Sequence, residues 1–195
     1  MALSEYQKRL RDRFLAAPAV PAPPPWRSVL DRTPIGGLLG IGFAVHPDDR
    51  RDLVMVVSHD GHGLFDAVTG RKIARDRDPD PDTSTPDASP DLTCLGLGPI
   101  ADTPVHIAGL FGGGLHHTTS DGWALDIVVP EWPNERVLLS ADGDIYKDPH
   151  GQGWWHILHS NYSTFRAAGF SPSGLTLAIA TSSDLTLWSR PSLRA

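Results

Sequence analysis

Residues 170–189 read Phe-Ser-Pro-Ser-Gly-Leu-Thr-Leu-Ala-Ile-Ala-Thr-Ser-Ser-Asp-Leu-Thr-Leu-Trp-Ser. Pro172 and the Ser173-Gly174 pair turn the chain, and Leu175 to Ala180 then form a short apolar run. A stretch of small polar residues turns the chain again before Leu185 to Trp188. Two runs of strand length bounded by turn residues, the second ending in a large aromatic, describe a β-hairpin.

The same wording recurs along the chain. Ile41 to Val45, Leu53 to Val57, Val105 to Leu110, Ala124 to Val129 and Arg136 to Leu139 are further strands. Between them stand the turn signals Asp60-Gly61, Thr69-Gly70, Asp121-Gly122 and Asp142-Gly143. Beyond Ala17 no segment has a helical period of useful length, so the chain is predicted to be all-β.

Residues 45–70 repeat the scheme of 170–189: Val45-His46-Pro47, the strand Leu53 to Val57, the turn Ser58-His59-Asp60-Gly61, then Leu64-Phe65-Asp66 and Thr69-Gly70. These two segments resemble the blades of WD-repeat β-propellers, whose usual form is FSPDG, an apolar strand, a small-residue turn and a strand ending in Trp. "LFDAVTG" (64–70) resembles the outer-strand ending of such blades. Pro47 and Pro172 are 125 residues apart, or three intervals of about 42, a blade length. Weaker copies stand at 118–126 (TTSDGWALD) and 139–148 (LSADGDIYKD). The resemblance implies a propeller-like array of three to four short antiparallel sheets with an N-terminal α-helical arm. A β-sandwich, whose hairpins use the same turn-strand vocabulary, is the alternative.

The arm is residues 1–17. Ser4 and Gln7 fit a capping box, and Tyr6, Leu10 and Phe14 recur at four-residue spacing on one face. Pro18 ends the helix, and residues 18–34, opening PAVPAPPP, read as a proline-rich linker to a β domain spanning 35–195. The stripe of Tyr6, Leu10 and Phe14 either docks on the protein's own sheet or meets a partner. Residues 76–91 carry many aspartates and prolines and no large apolar side chain, which predicts a flexible acidic loop.

Composition narrows the function classes. The net charge is −6, with Asp 20 and Arg 14 against Glu 3 and Lys 3, a balance that suits turns better than helix faces and disfavours nucleic-acid binding. No apolar run is long enough to span a membrane. Charged residues occupy Met1 to Ala17 where a secretion signal would have its apolar core, so a cytoplasmic protein is expected. The Arg- and Pro-rich composition suggests a bacterial source. Cys94 is the one cysteine, excluding an internal disulfide, and its apolar surroundings predict a core position.

No nucleophile, base and orienting group can be named together, and no cofactor is expected. Gly112 to Gly114 lack the partners of a phosphate or oxyanion motif and predict a turn. The aspartates at 76, 78, 80 and 82 alternate like calcium ligands, but Pro81 stands where the turn glycine belongs. His116, His117 and Asp121, with His106 near in sequence, form the one group suggesting an enzyme, a metal-assisted hydrolase. The tryptophans point elsewhere. Trp123 and Trp188 suit a core, whereas Trp132 before Pro133 and the Trp154-Trp155 pair stand at strand edges and loops. Rigid loop aromatics anchor protein interfaces. The expected function is a non-catalytic protein-protein interaction module, with Trp132, Trp154, Trp155, Tyr6, Leu10 and Phe14 as candidate contacts. Its partner is expected to be a protein with a basic surface, in an immunity or inhibitor role, or the chain is a subunit of a larger assembly or homo-oligomer.

Overall fold

The structure, a computed structural model, describes residues 3–80, 86, 91–142 and 144–192. Among these, one α-helix, α1 (Glu5–Ala16), precedes fourteen strands. They are β1 (Arg27–Pro34), β2 (Leu38–Val45), β3 (Asp52–Ser58), β4 (Gly61–Asp66), β5 (Lys72–Asp76), β6 (Thr93–Leu95), β7 (Pro104–His106) and β8 (Ala108–Gly109), followed by β9 (Trp123–Glu131), β10 (Asn134–Ala141), β11 (Trp154–Ser160), β12 (Phe165–Phe170), β13 (Thr176–Thr181) and β14 (Asp184–Ser189). The chain is all-β in class, and every strand expected from the sequence is present, with the 105–110 run split at Ile107 into β7 and β8.

The strands form separate antiparallel sheets, ordered β1-β14-β13-β12, β5-β4-β3-β2-β8, β11-β10-β9 and β6-β7. Successive strand side chains leave opposite faces. Along β13, Leu177 and Ile179 therefore enter one core while Ala178 and Ala180 enter another. The first core joins this sheet to β9-β10-β11 through Leu125, Val137, Leu139 and Ile157. The second joins it to the five-stranded sheet through Leu38, Ile41, Val54 and Phe65. The far face of the five-stranded sheet, with Leu53, Met55 and Leu64, is covered by Cys94 of β6 and Val105 of β7. The far face of β9-β10-β11, with Leu138 and Trp154, is covered by Phe14 of α1 and by Ala17.

This arrangement corrects the propeller expectation. The sheets are not closed into a ring: each core joins one pair of neighbouring layers, and among the described residues none joins the two ends of the stack. The separate face-to-face sheets fit the sandwich alternative. The repeated segments are real hairpins, β3-β4 and β13-β14, that face one another across the second core. A turn, an apolar strand and a closing aromatic specify a hairpin, and they carry no information about closure. The two hairpins are also pinned together. Asp52 is 5% exposed, and its Oδ2 accepts from Ser171 Oγ at 2.7 Å, Ser173 Oγ at 2.7 Å and Thr176 Oγ1 at 2.8 Å.

The linker expected over 18–34 ends early, because Arg27–Pro34 is a strand. It pairs with β14 from Arg27↔Ser189 to Pro34↔Asp184 through two irregularities. Its mostly exposed pattern carries no alternation that a reading of the sequence could find. Ahead of it Trp26 is buried, stacked on Phe170 at 5.5 Å and edge-on to Trp123 at 5.7 Å. The acidic loop at 76–91 is described only at Asp76–Asp80, Pro86 and Asp91; the rest lies outside the described residues.

The arm docks on its own sheet. Ser4 and Gln7 make both capping-box hydrogen bonds, Phe14 is buried, Leu10 is half-buried, and Tyr6 remains exposed. At the other end Arg136, 9% exposed, reaches from β10 to the helix C-terminus. Its Nη1 donates to the carbonyls of Phe14 at 2.7 Å, Leu15 at 3.3 Å and Ala17 at 3.1 Å. A guanidinium there satisfies orphan carbonyls and complements the negative end of the helix dipole. Hydrogen bonds to a charged group contribute roughly 1.5–3 kcal/mol, so Arg136→Met is expected to cost about 2–3 kcal/mol. For a chain of this size that lowers Tm by roughly 4–12 °C, measured by thermal unfolding. A Tm within about 1 °C of the parent would show that the arm is not held through this group.

Candidate functional site

Trp132 is 86% exposed and Tyr162 is 89% exposed. Trp132 begins the two-residue connection between β9 and β10, and Tyr162 lies in the short connection between β11 and β12. Because β10 pairs with both β9 and β11, Asn134↔Glu131 and Glu135↔Ser160 set the two tips side by side. Between them runs a groove of about 410 Å³ lined by both aromatics, Asn134, Glu135 and Thr164. The second tip is anchored by backbone contacts at its far end, where Ser182 N donates to the Thr164 carbonyl at 2.7 Å. Tyr162 also walls a second groove of about 550 Å³, which continues past His159 and Arg32 to Val20 and Pro21 of the proline-rich linker. Glu135 lines the first groove with Trp132 and Asp31 lines the second, while Glu131 precedes Trp132 in the chain and its charge acts on His159.

The remaining candidates are placed differently. Trp154, 1% exposed, lies in one core with Phe14 and Leu10, edge-on to Phe14 at 5.8 Å, and its Nε1 donates to the Asp148 carbonyl at 2.7 Å. These three side chains cover one another while the arm is docked. Trp155 is half-buried against the first core, beside Trp123 at 6.3 Å. Tyr6 is exposed at the opposite end of the helix from Phe14. Of the six tryptophans, Trp132 alone is largely in solvent. Tyr162 escaped notice in the sequence because a lone tyrosine in Ser-Asn-Tyr-Ser-Thr gives no pattern; only strand pairing sets it beside Trp132.

The His116, His117 and Asp121 group is not assembled as a metal centre. Both Asp121 oxygens accept from Arg190, at 2.5 and 2.6 Å. The Arg190 side chain is buried, lies over the Trp26 ring at 4.8 Å and holds the Asp121 carboxyl well below the usual carboxylate range. His116 pairs its backbone with Phe170, and His106 Nδ1 lies 2.7 Å from the Asp91 carbonyl. Among the described residues no three His, Cys, Asp or Glu side chains are grouped to hold a metal ion. Cys94 is buried in the third core.

His156 is buried with its ring nitrogens 2.9 Å from the Ala17 carbonyl and 3.1 Å from the Leu158 carbonyl. Burial pushes its pKa down; the Ala17 carbonyl opposes this, and the charges of Arg136 and His159 add to it. His150 and His159 are also lowered, chiefly by burial.

Searches of protein-family models, curated proteins and solved structures return no match to this chain. Among the described residues no helix is long and apolar enough to cross a membrane.

Two pH effects follow. A histidine lowered in the folded state takes up its proton more readily when unfolded, so His156 stabilises fully above the ordinary value of 6.5 and loses this as pH falls towards its folded pKa. Chemical denaturation from pH 7.5 to 5 is expected to show declining stability, with a shallower decline in His156→Gln. Asp121 has the carboxylate sign: its contribution is present above about pH 4 and is lost as pH falls further. Asp121→Asn is therefore expected to be destabilised at pH 7 and to converge on the parent in strong acid. Parallel curves for parent and variant at all pH values would contradict the ion pair's role.

Proposed function

We propose that this chain is a non-catalytic protein-binding module that contacts its partner through the aromatic lip formed by Trp132 and Tyr162. The observation that carries this reading is the exposure of Trp132, 86%, in a protein that buries or half-buries its other tryptophans. An indole in water gives up a large favourable burial, and a rigid hairpin tip costs little entropy when a partner covers it. Aromatic anchors of this kind dominate interface energetics.

The partner is one with a basic surface. Glu131 and Glu135 flank Trp132, and they are two of the three glutamates in the chain. A lysine or arginine of the partner would find carboxylates beside aromatic faces, which combines charge attraction with cation-π contact. Two roles share this chemistry: occlusion of a basic cleft, as an inhibitor or immunity protein would do, and docking as a subunit of a larger assembly.

Affinity capture from the native host at low and high ionic strength, with parent and Trp132→Ala baits, tests the reading. Trp132→Ala leaves stability within about 0.5 kcal/mol because the side chain is in solvent. The expected result is one protein species recovered by the parent, released by salt, and bound at least about 30-fold more weakly by the variant. Equal recovery by parent and variant would refute the lip as the contact. A complex indifferent to salt would refute the basic partner.

A further inference from the structure

A third pocket, sharing no residue with the two aromatic grooves, has a different chemistry. It measures about 380 Å³ and is lined by Arg27, Arg50, Arg51 and Arg190, with Asp52 and Thr176 also on its wall. In a chain of net charge −6, four arginines are gathered around this one small pocket, with one carboxylate among the lining groups. Of that carboxylate, Asp52 Oδ2 is committed to hydrogen bonds from three hydroxyls within the protein.

The arginines divide into two kinds. Arg51 and Arg190 are held in place: Arg51 Nε lies 2.9 Å from Asp66 Oδ2, Arg51 Nη1 pairs with Asp49, and Arg190 is locked on Asp121 and Trp26. Arg27 and Arg50 are exposed, and among the described residues neither guanidinium has a hydrogen-bond or ion-pair partner. Arg50 has φ +62°, a left-handed conformation that costs a non-glycine residue about 1 kcal/mol or more. The turn is closed around it, with Arg50 N donating to the His46 carbonyl at 3.1 Å and His46 N to the Arg51 carbonyl at 2.9 Å. A glycine would take this backbone without strain, so what position 50 supplies is its side chain.

We infer that this pocket binds a small phosphate monoester, with Arg27 and Arg50 closing on the phosphate oxygens. Planar guanidinium forks match phosphate geometry, and the two free ones can bind without breaking an existing pair. The volume lies in the range of small-molecule sites, and Val68 and Leu175 give the wall an apolar portion for the organic group. This inference does not depend on the aromatic lip.

Titration calorimetry on the full chain at pH 7.5 tests it, with glucose 6-phosphate, inorganic phosphate and glucose as probes. Saturable binding of glucose 6-phosphate, none of glucose, and at least about tenfold weaker binding by Arg27→Ala and Arg50→Ala are expected. Both substitutions lie at exposed positions, and Trp132→Ala is expected to bind as the parent does. Inorganic phosphate binding as tightly as the ester would support the oxyanion site and identify free phosphate as the source. No saturable binding of either phosphate below about 10 mM, equal binding of glucose, or unchanged binding by both arginine variants would overturn the proposal.

Discussion

A sheet buried on both faces sets the organisation of this protein. In β13 the large side chains, Leu177 and Ile179, point to one side and the small ones, Ala178 and Ala180, to the other. The large face needs aromatic and aliphatic cover, which Trp26, Trp123 and Leu139 supply. The small face lets a neighbouring sheet approach closely, and that sheet brings the bulk itself as Leu38, Ile41 and Phe65. Each added sheet presents a new apolar face, so the stack ends only where something other than a full sheet covers it. On one side this is α1, and on the other it is the two-stranded β6-β7.

Arginines tie the chain ends into this stack. Arg136 has no carboxylate partner among the described residues; it is solvated by the carbonyls that end α1, so burying the charge and ending the helix solve each other's cost. Near the other terminus Arg190 donates Nε to the Gly174 carbonyl at 2.8 Å, grips Asp121 with both amino groups, and presents its flat face to Trp26. Removing either guanidinium leaves buried acceptors or a bare carboxylate, and such asymmetry makes these contacts costly to lose.

Much of the fold was legible because the buried strands are short apolar runs between Gly, Asp and Pro turns. Among the strands that escaped are several whose residues say little alone. β12, with Ala167, Ala168 and Gly169, is small and featureless, and β11 interleaves His156 and His159 with Ile157 and Leu158. β1 is an exposed edge strand whose paired residues lie 150 or more positions away in sequence. The blade resemblance misled for a physical reason: hairpin chemistry is local, whereas ring closure depends on how whole sheets are offered to one another. For the site, Trp132 was legible from its place before Pro133 in a turn. Trp154 was not distinguishable from it, because the helix that buries Trp154 lies more than 130 residues earlier.

The two surface features left over by the packing share no lining residue. The aromatic lip hangs on the β9-β10-β11 sheet at the far end of its hairpins, whereas the arginine pocket is built where β1, β3 and β14 meet. Asp49, Asp66 and Asp121 neutralise Arg51 and Arg190, which leaves Arg27 and Arg50 as the charges that a ligand would feel. At the lip, Glu131 and Glu135 belong to the sheet β9-β10-β11, which meets the sheet holding β1 and β14 through the first core. In physiological salt the field of an exposed charge is felt mainly within about 10 Å, so each site is read by the groups that lie close to it. An acidic chain can in this way offer carboxylates and aromatics at one site and guanidinium groups at another.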